Sequence, residues 1–533
     1  MGTFGSFGTV RLGIYAAQKG LDVTGNNITN INTDGYTRQR LNQVSLIPSA
    51  SDRYTSSFNT RIGQGAIVTG VTQLRDPGLD ISYRNASADV GAANAKLDGL
   101  NALASVLDEV GKGDLEQDDG VILSQLNDLR DLINQAITNN GTGTYDSLIR
   151  SSADALCTHF NSYAEKLAEK QSTYEGKLDQ QVTEVNNILK NIQELNVAIR
   201  NADIRGDEGL ELRDNRNQLL DELSGYMKID VKYSMEYVGA GTMVEKLTVT
   251  LANNPPHDHT LVDGEYASQL LADKNNDYRI NLYALRDSDG VKQDANDTDP
   301  VVLLDNDLYG SLQSIRELLT EEGEYASDAD VKNDPDAAIK RGIPYYQKAL
   351  DSLAREFADA MNKLNDTGLT GGGALFSTGS NNNTTDGITA SNISVSQNWT
   401  NGTVSIQATD RSDAPSGDTS NLAKFLALFD QKIDFDPKHI DGDAVGDAYN
   451  GTFEEMLLKI QSTLAEDQMT TDAVLNNYMV TANDVYVDRE SIMGVDLNDE
   501  ATSLMTYQKA YTAACRLMTV MEEALDSLIN GTV

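Results

Sequence analysis

His159, His257, His259 and His439 are the only histidines in 533 residues. His257-Asp258-His259 offers two metal ligands from one loop, but spacing supplies no third, so a solvated loop is the simpler reading. Asp273, Asn275 and Asp277 begin like a calcium loop. Tyr278 then stands where the sharp turn needs Gly, and Ala284 where the bidentate Glu belongs. Asp441 and Asp443 begin a second such loop, which fails at Thr452. No GxSxG, HExxH, CxxC or Walker pattern occurs. Eighty-one acidic residues bring carboxylates together by chance, and no pair stands apart as an acid/base dyad. The expectation is a chain with no catalytic, cofactor-binding or metal residues, whose chemistry is association.

Composition narrows the class. The chain is long enough for about three or four domains. Its 39% hydrophobic and 23% charged residues suit a packed chain, slightly lean in core formers. A net charge of −39 excludes nucleic acid as a partner and disfavours an anionic membrane surface. No run of about 18 apolar residues exists, so no membrane span is expected. The N-terminus lacks the basic and apolar regions of a cleavable signal peptide. Met1-Gly2 with Ser6 fits the myristoylation pattern, against which Phe7 onward already has a packing role. Cys157 and Cys515 fall on expected helices and read as small apolar residues rather than a disulfide.

The elements that must position any contact surface lie at the two ends. Leu497, Leu504, Tyr511, Met518 and Leu525 recur every seven residues. Glu500, Tyr507, Ala514, Met521 and Leu528 follow three residues after each. Only Glu500 breaks the apolar rule. The spacing predicts a helix over 497–529 with a coiled-coil seam, about 50 Å long. Asp496 caps its start, and Asn530-Gly531 ends it. The N-terminus offers a partner. Phe7, Ile14, Leu21 and Ile28 form one heptad series; Val10, Ala17, Thr24 and Ile31 form the second. Gly13, Gly20 and Gly25 weaken this helix by about 1 kcal/mol each relative to Ala. The asparagines from Asn26 onward should end it, with a turn at Asp34-Gly35. Basic residues prevail over acidic ones in 1–45, and the reverse holds in 491–533, so the two segments attract.

Between the ends, helical rods alternate with polar insertions. Short strands are expected over 41–85 around Gly63, Gly65 and Gly70. Helices follow from about 88 to 107, with breaks at Gly111, Gly113 and Gly120, then over 122–136, ended by Asn139-Asn140-Gly141. The longest runs over 146–204, interrupted in its seam by Asn196, and a short one covers 211–225. A two-residue period over 228–308 predicts antiparallel strands. Helices return at 311–320 and 339–365. Strands are expected around Ile393 and Val395 and around Val404 and Ile406. Helices at 420–430 and 452–489 precede the last one. The fold class is mainly α with β insertions: a long-helix bundle and a terminal N/C coiled coil, plus one or two small antiparallel β domains. The expected domains are 1–45 with 491–533 as a terminal coiled-coil inner domain, and 46–227, 309–365 and 451–490 as a helical rod. A separate β-rich insertion spans 228–308, and a small Gly/Asn/Thr-rich outer insertion spans 366–450.

Asn26, Asn27, Asn30, Asn32, Thr33, Gly35, Tyr36, Arg38 and Gln39 stand in the run Leu21–Gln39, which resembles the N-terminal signature "NNIANxNTxGYxRQ" of bacterial flagellar rod, hook and hook-associated axial proteins. Thr29 replaces the usual Ala, and Asp34 the common Pro. The run from Gly494 to Ala501, followed by Tyr507-Gln508-Lys509-Ala510-Tyr511, resembles the other end of the same family. Leu212–Leu220 and Leu350–Ala354 resemble its hook-associated branch. The resemblance implies a structural, non-enzymatic subunit of the flagellar axis at the hook–filament junction, with no cofactor. It implies export by the flagellar apparatus without signal cleavage, and an extracellular place in the flagellum. Implied partners are further copies in an axial ring, the hook protein, and the second hook-associated junction protein or filament. An export chaperone on the C-terminal helix is also implied. The expected assembly seam is Ile14, Leu21, Ile28 and Ile31 with Leu497, Leu504, Tyr507, Tyr511, Ala514, Met518, Met521, Leu525 and Leu528. Another rod or hook subunit, or an extracellular adhesin on a flagellar frame, is the alternative.

Overall fold

A computed structural model describes residues 3–46, 65–107, 120–139, 143–239, 241–252, 259–297, 299–303 and 307–531. Met1-Gly2, Gly63, Gly111, Gly113, Asn140-Gly141 and His257-Asp258 lie outside the described residues.

The chain begins with α1 (Thr3–Thr29), which ends inside the asparagine run. β1 (Gln39–Ser45) and β2 (Ala66–Gln73) pair antiparallel. The next helix, α2 (Pro77–Leu107), starts eleven residues before the expected 88. Asp76 accepts a bond from the Gly78 amide at 2.8 Å, and Pro77 sits in the first turn, where its missing N–H costs nothing. That start was hidden because α2 carries charged Asp80 and Arg84 on its buried face.

α3 (Val121–Thr138) leads to the spine of the molecule, α4 (Gly143–Arg205). Its 63 residues make a rod about 95 Å long. One stripe, from Ile149 through Phe160, Leu167, Leu178, Val185 and Ile192 to Ile199, is buried. α5 (Leu210–Tyr226) turns back along it. Two sheets follow. One has order β3-β4-β5-β6, built from β3 (Ile229–Gly239), β4 (Thr242–Leu251), β5 (Thr260–Asp263) and β6 (Tyr266–Ala267). The other joins β7 (Leu270–Asp273), β8 (Arg279–Leu282) and β9 (Val301–Val302).

These sheets are not free-standing. Ile229, Val231, Leu247, Val249, Leu261 and Leu270 share one core with the α4 stripe. The polar residues on that stripe hold the sheet backbones. Asn186 exchanges two 2.8 Å bonds with Leu270; Gln193 donates to the carbonyls of Glu265 and Arg286, and Asn196 to that of Gly264. A period-2 pattern shows that strands form, but not what covers their apolar face.

α6 (Gly310–Thr320), the short α7 (Asp328–Asn333) and α8 (Ile343–Asn365) rejoin the helices. α8 starts at 343 rather than 339, with Pro344 in its first turn. β10 (Phe376–Thr378) pairs with β11 (Ile393–Val395), and α9 (Gln397–Thr400) follows. No strand forms at Val404 and Ile406. Their neighbourhood spends its amides elsewhere: Ile406 donates to Asp146 and Gln407 to Asn365, so no ladder remains. Trp399 is fully buried there, donating from Nε1 to Asp146 at 2.9 Å. Phe357 meets Phe376 and Phe453 edge-on at 5.3 Å each. α10 (Ser420–Leu428) and the pair β12 (Ile433–Phe435) and β13 (Tyr449–Gly451) precede α11 (Phe453–Met493). A capping box of Thr452 and Glu455 starts α11, which packs on α2 and α8. The chain closes with α12 (Leu497–Asn530), capped by Asp496.

Candidate assembly site

α1 and α12 lie side by side and antiparallel, with Gly20 against Tyr507 and Arg38, beyond the end of α1, against Glu500. The contact is centred differently from the expected seam. On α1 the buried positions are Val10, Ala16, Ala17, Gly20, Thr24 and Asn27. Ile14, Leu21 and Ile28 flank them half-buried, and Ile31 is exposed in the turn. Small residues win the centre because they let the backbones approach. A Cβ on Gly20 would collide with the Tyr507 ring, so this glycine, read from sequence as a helical cost, is required by packing. α1 also rests on β1 and β2.

On α12 the half-buried positions are Ser503, Leu504, Tyr507, Ala514, Cys515, Met518, Met521 and Leu525. Leu497, Tyr511 and Leu528 are exposed, at 53%, 37% and 61%. One partner helix fills one groove and leaves the flanks and ends of a seam open. The single buried residue of α12 is Glu500, the apparent flaw in the heptads. Arg38 Nε donates to its Oε1 at 2.7 Å.

The signature residues form the joint around that pair. Asn27 is buried and reads the backbone of residue 39 twice, donating to the Gln39 carbonyl at 2.9 Å and accepting from its amide at 3.0 Å. Tyr36 donates to the same Asn27 oxygen at 2.8 Å. Asn26 and Gln39 both reach Glu211 on α5. Asn30 donates back to Asn26, and Thr33 to Asn30, closing the turn. Gly35 has φ +76°, a left-handed conformation that favours glycine. Asn32 is exposed, and no described contact gives it a role in the joint. The Arg38 amide donates to the Met493 carbonyl at 2.8 Å, tying the N-terminal loop to the end of α11.

Beneath lies a buried ion network that sequence reading missed. Arg75 is bidentate to Asp80, at 2.5 and 3.0 Å, and donates to Thr37. The Thr37 amide donates to Asp214. Arg84 and Arg489 share Asp221, at 2.8 and 2.6 Å, and the Arg489 guanidinium lies 4.0 Å from the Tyr83 ring centre. Burial pushes the Asp214 carboxyl up to about 6, against the hydrogen bonds from Thr37. Burial, with the nearby Asp214, Glu211 and Glu500, also raises the Tyr36 phenol far above its ordinary value. A buried charge is costly unless paired, so this network fixes α2, α5, α11 and the 36–39 loop in one arrangement. The available signal was charge on apolar faces: Asp80 and Arg84 on α2, Asp214 on α5, Arg489 on α11. Arg75 stands five residues before Asp80, but the partners of Arg84, Asp214 and Arg489 stand far away in sequence, which no local pattern shows.

The other candidate residues stay apart. Among the described residues no three His, Cys, Asp or Glu side chains gather to hold a metal. Asp277 and Tyr278 both take positive φ in a turn, and Asp273 closes that turn on the Asn275 amide. Cys157 is buried in α4, Cys515 is half-buried on α12, and both are free thiols. No described helix is long and apolar enough to cross a membrane.

Residues 114–381 match the family described as flagellar hook-associated protein FlgK helical domain. Residues 490–531 match the flagellar basal body rod FlgEFG protein C-terminal family, and residues 13–37 the flagella basal body rod protein family. Flagellar hook-associated protein 1 of Bacillus subtilis (strain 168) is 27% identical over 542 residues, covering 99% of this chain and 98% of that one. The protein of the same name from Salmonella typhimurium is 21% identical over 593 residues, covering 97% and 98%. A solved structure, the flagellar hook junction protein FlgK from Burkholderia pseudomallei, aligns with a TM-score of 0.40 and 18% identity. It covers 56% of this chain and 47% of that one.

Proposed function

The chain belongs to the flagellar hook-associated protein FlgK family, and from that premise we propose how it does its work. It is a structural subunit of the flagellum at the hook–filament junction. The family is structural, in keeping with a chain whose polar networks are spent on holding elements together. As a junction protein in the flagellar axis it interacts with hook and filament proteins, in the extracellular part of the flagellum.

Assembly proceeds through the terminal helix pair. One observation carries this reading: α12 is covered by α1 along one side only, and Met505, Leu517 and Val520 are exposed on its remaining surface. Neighbouring copies cover that surface in an axial ring. The domains act as three parts: the termini inside, the helical rod with its docked sheets around them, and 366–450 outermost. Before assembly, α1 and α12 are held loosely to the rod, and they are fixed on incorporation. That suits export through the flagellar apparatus without signal cleavage, with a chaperone masking the C-terminal seam. The hook protein lies on one side of the ring, and the second hook-associated protein or the filament on the other.

Complementation of a strain lacking this chain tests the reading. The intact chain should restore filaments, while Leu504→Asp should be exported yet fail to incorporate. Normal filaments without the chain, or with Leu504→Asp, would overturn it.

A further inference from the structure

β3 is an edge strand, paired with β4 on one side only. Among the described residues, no backbone hydrogen bond reaches its outer edge between Asp230 and Val238. The opposite edge, β6, is two residues long. A long open edge is a template for another strand unless bulges, prolines or charges blunt it. Here the one irregularity lies at the far end, between Tyr237 and Gly239. Tyr233, Met235 and Tyr237 alternate on one face, with Met243 across from Tyr237. All four are exposed, Met235 and Tyr237 by more than 60%. Lys232, Ser234 and Glu236 occupy the other face. The hairpin is held in place: Tyr233 donates to Asn217 at 3.0 Å, and the Gly241 amide donates to Tyr237 at 3.2 Å.

We propose that this edge binds the same edge of a second copy, antiparallel, about a two-fold axis at Ser234. Charge decides the occupant and the register. Centred on Ser234, Lys232 falls opposite the second copy's Glu236, and Glu236 opposite its Lys232. On the apolar face Tyr233 meets Met235 twice, a sulfur–aromatic pairing. Recentred on Met235, both charge pairs are lost, because Lys232 then faces Val238. In the single chain Lys232 pairs with Asp230 at 3.2 Å and Glu236 with Arg200 at 3.3 Å, exposed or part-exposed pairs worth little by themselves. A two-fold contact closes on itself and cannot propagate round an axis. The dimer therefore belongs to the chain outside the assembled flagellum, where it covers an edge that invites aggregation.

Sedimentation of the full chain over a range of concentrations tests this. A monomer–dimer equilibrium is expected. Lys232→Glu should weaken it about tenfold by placing like charges opposite each other. Adding Glu236→Lys to that variant should restore it. Ser234→Cys, in a chain carrying Cys515→Ser, should form an intermolecular disulfide on mild oxidation, while Lys246→Cys on the neighbouring strand should not. A chain monomeric throughout overturns the proposal, as does a dimer indifferent to Lys232→Glu. So does an association lost in Leu504→Asp, which belongs to the terminal seam, or a β3 edge that takes up only strands of other proteins.

Discussion

α4 and α12 are both long helices with regular apolar stripes, and they end in opposite states. α4 buries nineteen residues along 63 positions; α12 buries Glu500 alone along 34. The seam of α12 is the more regular of the two. Regularity therefore tells that a helix wants a partner, but not whether the same chain supplies it. The rod finds its partners within the chain, in α2, α5, α8 and the docked sheets. The terminal pair is half a structure, clamped at one end by a salt bridge.

The sharpest way to break this comparison is to injure each region in turn. Phe357→Ala should cost the rod about 3–5 kcal/mol, because it empties the contacts with Phe376 and Phe453. Denaturant unfolding would show it as a lowered midpoint at unchanged slope. Leu504→Asp or Tyr511→Asp should leave that midpoint in place and block incorporation. Equal loss of stability in both sets would erase the distinction. Arg38→Ala comes next. It strands the buried Glu500 carboxylate and should cost about 3 kcal/mol. The loss should appear as faster amide exchange at the start of α12, with α4 amides unchanged.

Gly20→Ala sharpens the comparison at a single contact. Added helical propensity of about 1 kcal/mol favours the variant, while overpacking against Tyr507 costs about 1–3 kcal/mol. The net effect should be a modest loosening of the pair, relieved by Tyr507→Ala and seen by hydrogen exchange across α1. The smallest effect is on the rod's side. Glu321, at the end of α6, is pushed up to about 8 by burial and then by repulsion from Glu317. An unfolded Glu has lost its proton above about 4.3, so the folded state keeps a proton that the unfolded state lacks. Glu321's contribution to stability should therefore fall as pH rises from about 4.3 to 8 and be flat beyond. Glu321→Gln should flatten that fall in melts between pH 5 and 9. An unchanged profile would show that this carboxyl titrates normally.

What the sequence made legible was whatever depends on nearest neighbours along a helix or strand. The extent of α4, the cap at Asp496, the paired β1 and β2 and the change of period at 228 are all local. The errors have a common physical source. Val404 and Ile406 looked like a strand until Asp146 and Asn365, far away in the chain, took the amides of that stretch. The start of α2 was obscured by Asp80 and Arg84; Arg75 lies five residues from Asp80, but Asp221, the partner of Arg84, makes sense only in three dimensions. At the candidate site the seam was visible but its centre was not. Gly20 and Glu500 scored as defects under propensity and pattern; Gly20 turns out to be where α1 meets the Tyr507 ring, and Glu500 the carboxylate that holds Arg38 beyond the end of α1. The joint's ion network joins residues 36–39, 75–84, 211–221 and 489, a set that no periodicity connects.

Trp399 has a consequence for how this chain can be watched. It is the only tryptophan, it is fully buried, and its indole donates to a carboxylate on the first turn of α4. Its emission therefore reports on the 366–428 packing against α3, α4 and α8 and is blind to α1 and α12. Far-ultraviolet ellipticity, by contrast, counts every helical turn. If the termini melt ahead of the rod, ellipticity should fall first while the fluorescence holds, and the interval between the two curves would be a direct optical measure of how loosely the ends are attached.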